Sequence, residues 1–203
     1  MKQTGQTANR SQKRAAETRK RLYREALRLF LEKGFERTTV SEITDAADVA
    51  KGTFFIHFPT KESVMGELGT LVLEQMEACI RNPRRNGSAA ETQILALFDA
   101  AGRWHEGNRE LSRLAVQVLT VSPGGMEADR PNQIRFFRLL LDLVGHGQQS
   151  GEFGAVVAPE IAAQTLAGVY FSAVMSWHLT PSLPPLRRML AEGIGLVTKG
   201  LRA

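Results

Sequence analysis

The chain has a single cysteine, Cys79, in 203 residues. It can form no internal disulfide and no cysteine-based zinc site, which suits a reducing cytoplasm. The basic, polar N-terminus lacks the apolar stretch of a secretory signal, which argues against export. A long hydrophobic run is missing too. The nearest approach, Ile161 to Leu179, holds no Asp, Glu, Lys or Arg, but Gln164, Thr165, Ser172, Ser176 and His178 interrupt it and Pro159 and Pro181 bracket it, so no membrane span is expected. No run of alternating apolar residues competes for a sheet. The four histidines, His57, His105, His146 and His178, are scattered, and no H-E-x-x-H, nucleophile-elbow or phosphate-loop motif occurs. Carboxylates do not cluster on an apolar face either, so nothing points to an enzyme and no cofactor or metal is expected.

Hydrophobic residues make up 43% and charged residues 23% of the chain, the balance of an ordinary folded protein. The formal charge of +5 is unevenly placed. Residues 1–37 carry eleven Lys or Arg against four Glu, a net +7, which leaves −2 for the remainder. That asymmetry suggests a nucleic-acid-facing end on a near-neutral body, against the plainer alternative of a solvated helix face with a loose basic tail.

Residues 1–12 are polar and without periodic hydrophobes, and are expected to form a flexible basic arm. Order is expected from near Ser11. Leu22, Ala26, Leu29 and Phe30 then fall at i, i+4, i+7 and i+8 on one helical stripe, which Gly34 ends as a left-handed cap. Thr39 to Glu42 form a T-x-x-E capping box that opens a second, short helix ending at Ala47 to Val49, with Val40, Ile43 and Ala47 on its buried face. A third helix is expected from Lys51 to about Phe58, stopped by Pro59, and Thr60 can cap a fourth that runs to Ile80. The stretch Arg81 to Ser88 is a Pro/Gly/Asn break. Beyond it, helical patterns cover about Ala90 to His105, Arg109 to Val121, Asp129 to Gln149, Pro159 to Leu179 and Pro185 to Leu201. The chain therefore reads as all-α, with about nine helices.

Two short helices joined by a few residues, the second led by Lys51-Gly52-Thr53, have the dimensions of a helix-turn-helix, whose second helix enters the major groove by its N-terminal end. Lys51 can meet a phosphate or a guanine edge, Gly52 allows close backbone approach, and Thr53 can bond a phosphate or touch a thymine methyl. The run from Thr38 to Lys61, TTVSEITDAADVAKGTFFIHFPTK, resembles the DNA-binding signature of TetR-family regulators, T-hydrophobic-x-x-I-A-x-x-A-G-V-S-K-G-T-L-Y-x-H-F-x-S-K-E. The likeness covers roughly residues 16–77. It implies DNA contacts by Arg37, Thr38, Thr39, Lys51, Gly52, Thr53, Phe54, Phe55, His57 and Lys61, with ligand binding and dimerisation assigned to the C-terminal helices.

The residue types leave some of these roles divided. Phe54 and Phe58 suit local packing, Phe55 suits packing or the DNA surface, His57 can cap carbonyls or approach phosphate, and Lys61 suits a phosphate because a cation at a helix start is otherwise unfavourable. Three positions depart from the signature. Asp48 stands at the usual turn glycine, Ala50 replaces the serine that would cap the recognition helix, and Phe55 replaces a tyrosine that could donate to phosphate. The expected organisation is a basic arm over 1–12, a helix-turn-helix DNA-binding domain over 13–80, and a ligand-binding and dimerisation domain over 88–203.

In the helix from Pro159, Gly168, Ser172 and Ser176 recur every four residues and leave one side narrow enough for close helix approach. Leu186, Leu190, Gly193, Val197 and Leu201 offer a matching apolar stripe in the last helix, so a four-helix homodimer interface is expected, with Gly168, Ser172, Ser176, Leu186, Leu190 and Val197 in it. Among the aromatic residues of the middle helices, Phe98, Trp104, His105, Phe137, Tyr170 and Met175 are the candidates for an apolar effector pocket with polar handles. The expected function is a cytoplasmic, homodimeric repressor, released from a palindromic double-stranded operator by a small hydrophobic or aromatic effector. A module that binds something other than DNA is the remaining alternative, and it would lack sharply salt-dependent binding to duplex DNA.

Overall fold

The computed structural model describes residues 4–81 and 89–202. Among the described residues the elements are α1 (Thr4–Lys33), α2 (Val40–Ala46), α3 (Lys51–His57), α4 (Ser63–Ile80), α5 (Ala90–Gly107), α6 (Arg109–Val121), α7 (Gly125–Gln149), α8 (Pro159–Leu179) and α9 (Leu186–Leu201). An isolated bridge between Phe153 and Arg202 lies outside any named strand. The all-α architecture and the order of helices are as the hydrophobic periodicity predicts. Among the described residues no helix is long and apolar enough to cross a membrane.

Two helices begin earlier than their patterns suggest. α1 starts at Thr4, so residues 4–12, expected as an arm, are helical. Once the half of α1 that carries Leu22 to Phe30 is held by packing, adding turns needs no new nucleus, and Arg, Lys, Gln and Ala are all good helix formers. α7 starts at Gly125 rather than near Asp129. The Gly125 N–H donates to the Ser122 carbonyl at 2.9 Å. A Cβ there would lie 2.2 Å from the Val118 carbonyl oxygen, so only glycine lets the chain leave α6 and re-enter a helix at once.

The chain folds into two compact units, Met1–Glu67 with Gln117–Ala128, and Leu68–Val116 with Asp129–Ala203. The division falls inside α4 and not at the 81–88 break, of which residues 82–88 lie outside the described part. In the first unit, Leu22, Ala26, Leu29 and Phe30 of α1 are buried, as are Phe35, Ile43, Phe54, Phe58 and Val64, with the Phe30 and Phe35 ring centroids 4.9 Å apart. Gly34 takes a φ of +89° and its N–H donates to the Phe30 carbonyl at 3.0 Å, the left-handed stop expected from the sequence. Thr60 caps α4 by accepting from the Ser63 amide at 3.2 Å, and the Ser63 hydroxyl oxygen accepts from the Thr60 amide in return.

The second unit is built on one apolar cluster that includes Leu97, Phe98, Leu140, Val144, Leu166, Tyr170, Trp177 and Leu190. Its helix ends are completed by side chains distant in sequence. α5 has Ala89 at its N-cap and no local side-chain cap. The Glu152 carboxylate supplies the missing acceptors, taking the Ala90 and Glu91 amides at 2.5 and 2.9 Å. Arg135 of α7 grips Glu77 of α4 with two parallel bonds of 2.6 and 2.7 Å, a geometry only the guanidinium fork provides.

One buried polar atom of the first unit stands apart: the Tyr23 hydroxyl has no hydrogen-bond partner among the described residues. Burial, and then the charge of Glu67, push its ionisation well above the usual tyrosine range. An unmet buried hydroxyl costs about 1–3 kcal/mol, and removing it with the ring kept recovers part of that cost. Tyr23→Phe is therefore expected to raise stability by about 1 kcal/mol in urea unfolding; a loss of stability would show that the hydroxyl has a partner in solution.

Candidate nucleic-acid interface and effector region

The chain geometry around α2 and α3 follows from three local devices. At the start of α2, Thr39 accepts from the Glu42 amide at 3.2 Å while the Glu42 carboxylate takes the Thr39 amide at 2.8 Å, a complete capping box. The Lys33 ammonium also meets Glu42. That contact first, and then the Thr39 bonds, hold the carboxyl down at about 2. Between the helices, Asp48 has a φ of +51°, in the left-handed region where the family signature places glycine. The backbone thus keeps the turn and places an L-residue where it is mildly strained. At the start of α3, Ala50 makes no side-chain cap; its carbonyl takes the Thr53 amide at 2.8 Å, and the residue has no side-chain acceptor to offer the others.

α3 separates buried from exposed side chains. Phe54 and Phe58 are buried, with ring centroids 5.6 Å apart. Lys51, Gly52, Phe55 and Ile56 are exposed and Thr53 is half-buried. Phe55 is 51% and Ile56 79% exposed, which makes α3 an unusually apolar surface for so short a helix. Sequence alone does not single out Ile56, because an isoleucine close to three phenylalanines looks like core.

Three expected DNA contacts are corrected. Phe54 is fully buried, so its ring is core and cannot reach a duplex. Thr38 is 1% exposed, and its hydroxyl donates to the Gly34 and Leu29 carbonyls at 2.8 and 3.3 Å, where it seals the end of α1. The Lys61 ammonium donates to the Phe35 and Thr38 carbonyls at 2.7 and 3.1 Å and lies 4.2 Å from the centre of the Phe35 ring. The cation expected to meet phosphate is thus engaged by the corner between α1 and α2. Arg37 and Thr39 are exposed beside that corner, and the Arg37 Nε donates to the Lys33 carbonyl at 2.6 Å. His57 is half-buried, and burial, then Arg19, lower its affinity for a proton.

Arg19, one of many cations in the sequence of α1, is the tie between that helix and the far end of α3. Its guanidinium donates to the His57 carbonyl and to the Glu67 carboxylate and sits 4.5 Å from the centre of the Phe58 ring. Nothing in the local sequence distinguishes it from its neighbours, since its partners lie 38 and 48 residues away.

In the second unit the structure brings together Phe98, Trp104, His105 and Tyr170. Ring centroids are 5.8 Å apart for Phe98 and Tyr170, 5.9 Å for His105 and Tyr170, and 5.1 Å for Trp104 and His105. Phe137 is half-buried against the same core, and Met175 is half-buried on α8. A half-open cleft of about 460 Å³ is lined by Gln75, Cys79, Ala100, Arg103, Trp104 and Asn108. It shares only Trp104 with the six expected pocket residues; Phe98, His105 and Tyr170 pack on one another instead.

Running through this aromatic cluster is a line of polar groups. His105 Nε2 is 2.8 Å from the Tyr170 hydroxyl, His105 Nδ1 is 2.6 Å from the Ser112 hydroxyl, and that hydroxyl is 2.7 Å from His178 Nε2. Hydrogen-bond balance assigns the protons. Tyr170 donates to His105, His105 donates from Nδ1 to Ser112, and Ser112 donates to His178; the reverse order leaves the Tyr170 proton without an acceptor in this line. Burial, and then His178, push His105 down to about 4. His178 is lowered too, by burial and then by Arg109 and Arg113, so the line is neutral at pH 7. Ser112 and His178 were absent from the expected pocket because a serine and a histidine 66 residues apart carry no joint signal.

Of the residues expected at a dimer face, Gly168 and Ser172 are exposed and Ser176 is half-buried on α8, while Leu186 and Leu190 are 0% and 1% exposed. The two leucines are corrected to intrachain core, since α9 turns that stripe toward α5 and α8. Val197 is half-buried against the same core. The apolar residues left outside are Ile161, Phe171 and Leu179 on α8 and Leu196 on α9.

The family model "Bacterial regulatory proteins, tetR family" matches residues 22–68. The HTH-type transcriptional regulator TcmR of Streptomyces glaucescens is 51% identical over 26% of this chain, which spans 24% of that protein's length. The HTH-type transcriptional repressor DhaR of Mycobacterium sp. (strain GP1) is 24% identical over 85% of this chain and 88% of its own. Among solved structures, Thermus thermophilus FadR, a TetR-family transcriptional repressor in complex with lauroyl-CoA, superposes with a TM-score of 0.75 at 25% identity, covering 91% of this chain and 95% of that one.

Two outcomes follow from the geometry. Ala50→Ser restores a cap to α3 and is expected to add about 1 kcal/mol, a rise of about 2–4 °C in thermal midpoint; no rise would mean the α3 amides are already satisfied. His105 takes its proton far less readily folded, at about 4, than unfolded, near 6.5. Its contribution is complete above about pH 6.5 and is lost as pH falls toward 4, with a slope of up to about 1.4 kcal/mol per pH unit. Urea unfolding between about pH 7.5 and 5 should show a shallower slope for His105→Gln than for the parent, and equal slopes would exclude His105 as the titrating group.

Proposed function

We propose that the chain is a TetR/AcrR-family transcription regulator and not an enzyme, and that it acts in the cytoplasm as a homodimeric repressor, released from a palindromic operator by an apolar effector. The observation that carries this reading is α3. A seven-residue helix exposes Lys51, Gly52, Phe55 and Ile56 at its surface while Phe54 fixes its other side in the core. Lys51 supplies a phosphate or guanine contact, Thr53 a hydroxyl, and Phe55 and Ile56 apolar surface of the kind that meets thymine methyl groups. Arg37 and Thr39 flank the helix as backbone contacts. Phe55 in place of tyrosine moves the balance of α3 from phosphate bonding toward apolar base contact.

One such helix gives weak binding, and a two-fold dimer sets two of them about one DNA turn apart on a symmetric site. The exposed stripe Ile161, Thr165, Gly168, Ser172 and Leu179 on α8, joined by Leu196 of α9, supports a dimer face in the second unit. Small residues at its centre permit close helix approach. Phe98, Trp104, His105 and Tyr170, with Ser112 and His178, support an effector site with an aromatic wall and a neutral hydrogen-bonding line. The FadR relative is described with lauroyl-CoA, so a fatty acyl chain joins aromatic compounds among the effectors to be screened. Effector binding favours a form of the dimer whose helix spacing no longer fits the operator.

Selection of bound duplexes from a random pool tests this directly, with a palindrome expected and an unenriched pool fatal to the reading. On the selected duplex, Lys51→Ala should reduce the slope of log affinity against log salt by about one per protomer, about two for the dimer. An unchanged slope would remove Lys51 from the phosphate contacts.

A further inference from the structure

α1 extends well beyond what the core of its unit uses. From Arg10 on, its first fully buried side chain is Leu22, and every residue from Arg10 to Glu17 is exposed. Helices in proteins owe most of their stability to a packed apolar face, and this stretch has none.

What it has is charge, and the charges of α1 fall into two classes. Past Leu22 the cations are matched inside the chain: Arg24 and Arg28 with Glu25, Arg28 with Glu32, and Lys33 with Glu42. Before Leu22, Arg19 is taken up by Glu67 and the end of α3. Arg10, Lys13, Arg14 and Arg21 enter no ion pair among the described residues. They lie at i, i+3, i+4 and i+11, one face of the helix, and flank a shallow groove there together with Glu17 and Thr18.

Position adds to charge. Arg19 pins α1 to the His57 carbonyl, so the exposed turns begin at the C-terminal end of α3. From Arg19 back to Arg10 the helix extends about 13 Å, at about 1.5 Å per residue.

We propose that the Arg10–Arg21 face of α1 is a second DNA-contact surface, which grips backbone phosphates outside the stretch met by α3 and lengthens the footprint of each half-site. It rests on the operator-binding reading above. Lysine and arginine on a solvated helix carry no base code, so the surface adds affinity and salt dependence without altering sequence preference.

The test uses the full chain, the duplex recovered by selection, and the same duplex cut back at both ends to the palindrome. Arg10→Gln, Lys13→Gln and Arg14→Gln are combined in one variant, since glutamine keeps helix propensity and removes charge. If each cation holds one phosphate in both half-sites, the salt slope on the long duplex falls by about 5, at about 0.9 per phosphate, with the preferred sequence unchanged. Cutting the duplex should weaken the parent and leave the variant unaffected. A variant with the parent's slope and the parent's response to cutting overturns the proposal, while the operator reading survives if Lys51→Ala still lowers the slope. A parent that binds no duplex at low ionic strength overturns both.

Discussion

The placement of α3 depends above all on how its two ends are held. Arg19 gives its guanidinium to the His57 carbonyl, the Glu67 carboxylate and the face of Phe58, and so fastens the C-terminal end of α3 to α1. The N-terminal end is set by the left-handed Asp48, which turns the chain out of α2 at a fixed angle. Phe54 then keys the helix into the core. With the ends and one side fixed, the remaining side must face outward, and the exposure of Lys51, Gly52, Phe55 and Ile56 follows without further assumption.

The same constraint explains why several polar residues of the signature are internal. Thr38 and Lys61 satisfy carbonyls at the corner between α1 and α2, where helix ends leave acceptors that water does not fully reach. A residue type shared with a DNA-binding signature therefore identifies the frame as much as the contact surface. In this chain Thr38, Phe54, Phe58 and Lys61 belong to the frame, while Lys51, Gly52, Phe55 and Ile56 are exposed to solvent.

In the second unit the informative feature is a polar line inside an aromatic cluster. Buried hydroxyls and imidazoles cost free energy unless every proton finds an acceptor, and the order Tyr170, His105, Ser112, His178 meets that condition only while both histidines are neutral. Protonating either histidine would break that line and leave a buried donor or acceptor unmet.

Much of the fold was legible from residues alone, because helix periodicity and end signals are local. The stripe from Leu22 to Phe30, the Gly34 stop, the Thr39–Glu42 box and the Thr60 cap all act within a few residues of themselves, and each is found where the sequence puts it. The three departures at Asp48, Ala50 and Phe55 were likewise readable, and their consequences at the turn, the cap and the surface are local too. Tertiary structure alone decided which polar residues face inward, since Thr38 and Lys61 depend on carbonyls supplied by another element. It alone paired Arg19 with Glu67, Glu152 with the start of α5, and His105 with Ser112 and Tyr170, because those partners are near in space and remote in the chain. Periodicity found the apolar stripe of α9 but not its direction, and packing against α5 and α8 turned Leu186 and Leu190 into the core. A one-dimensional pattern states that a face is buried; only the assembled helices determine what buries it.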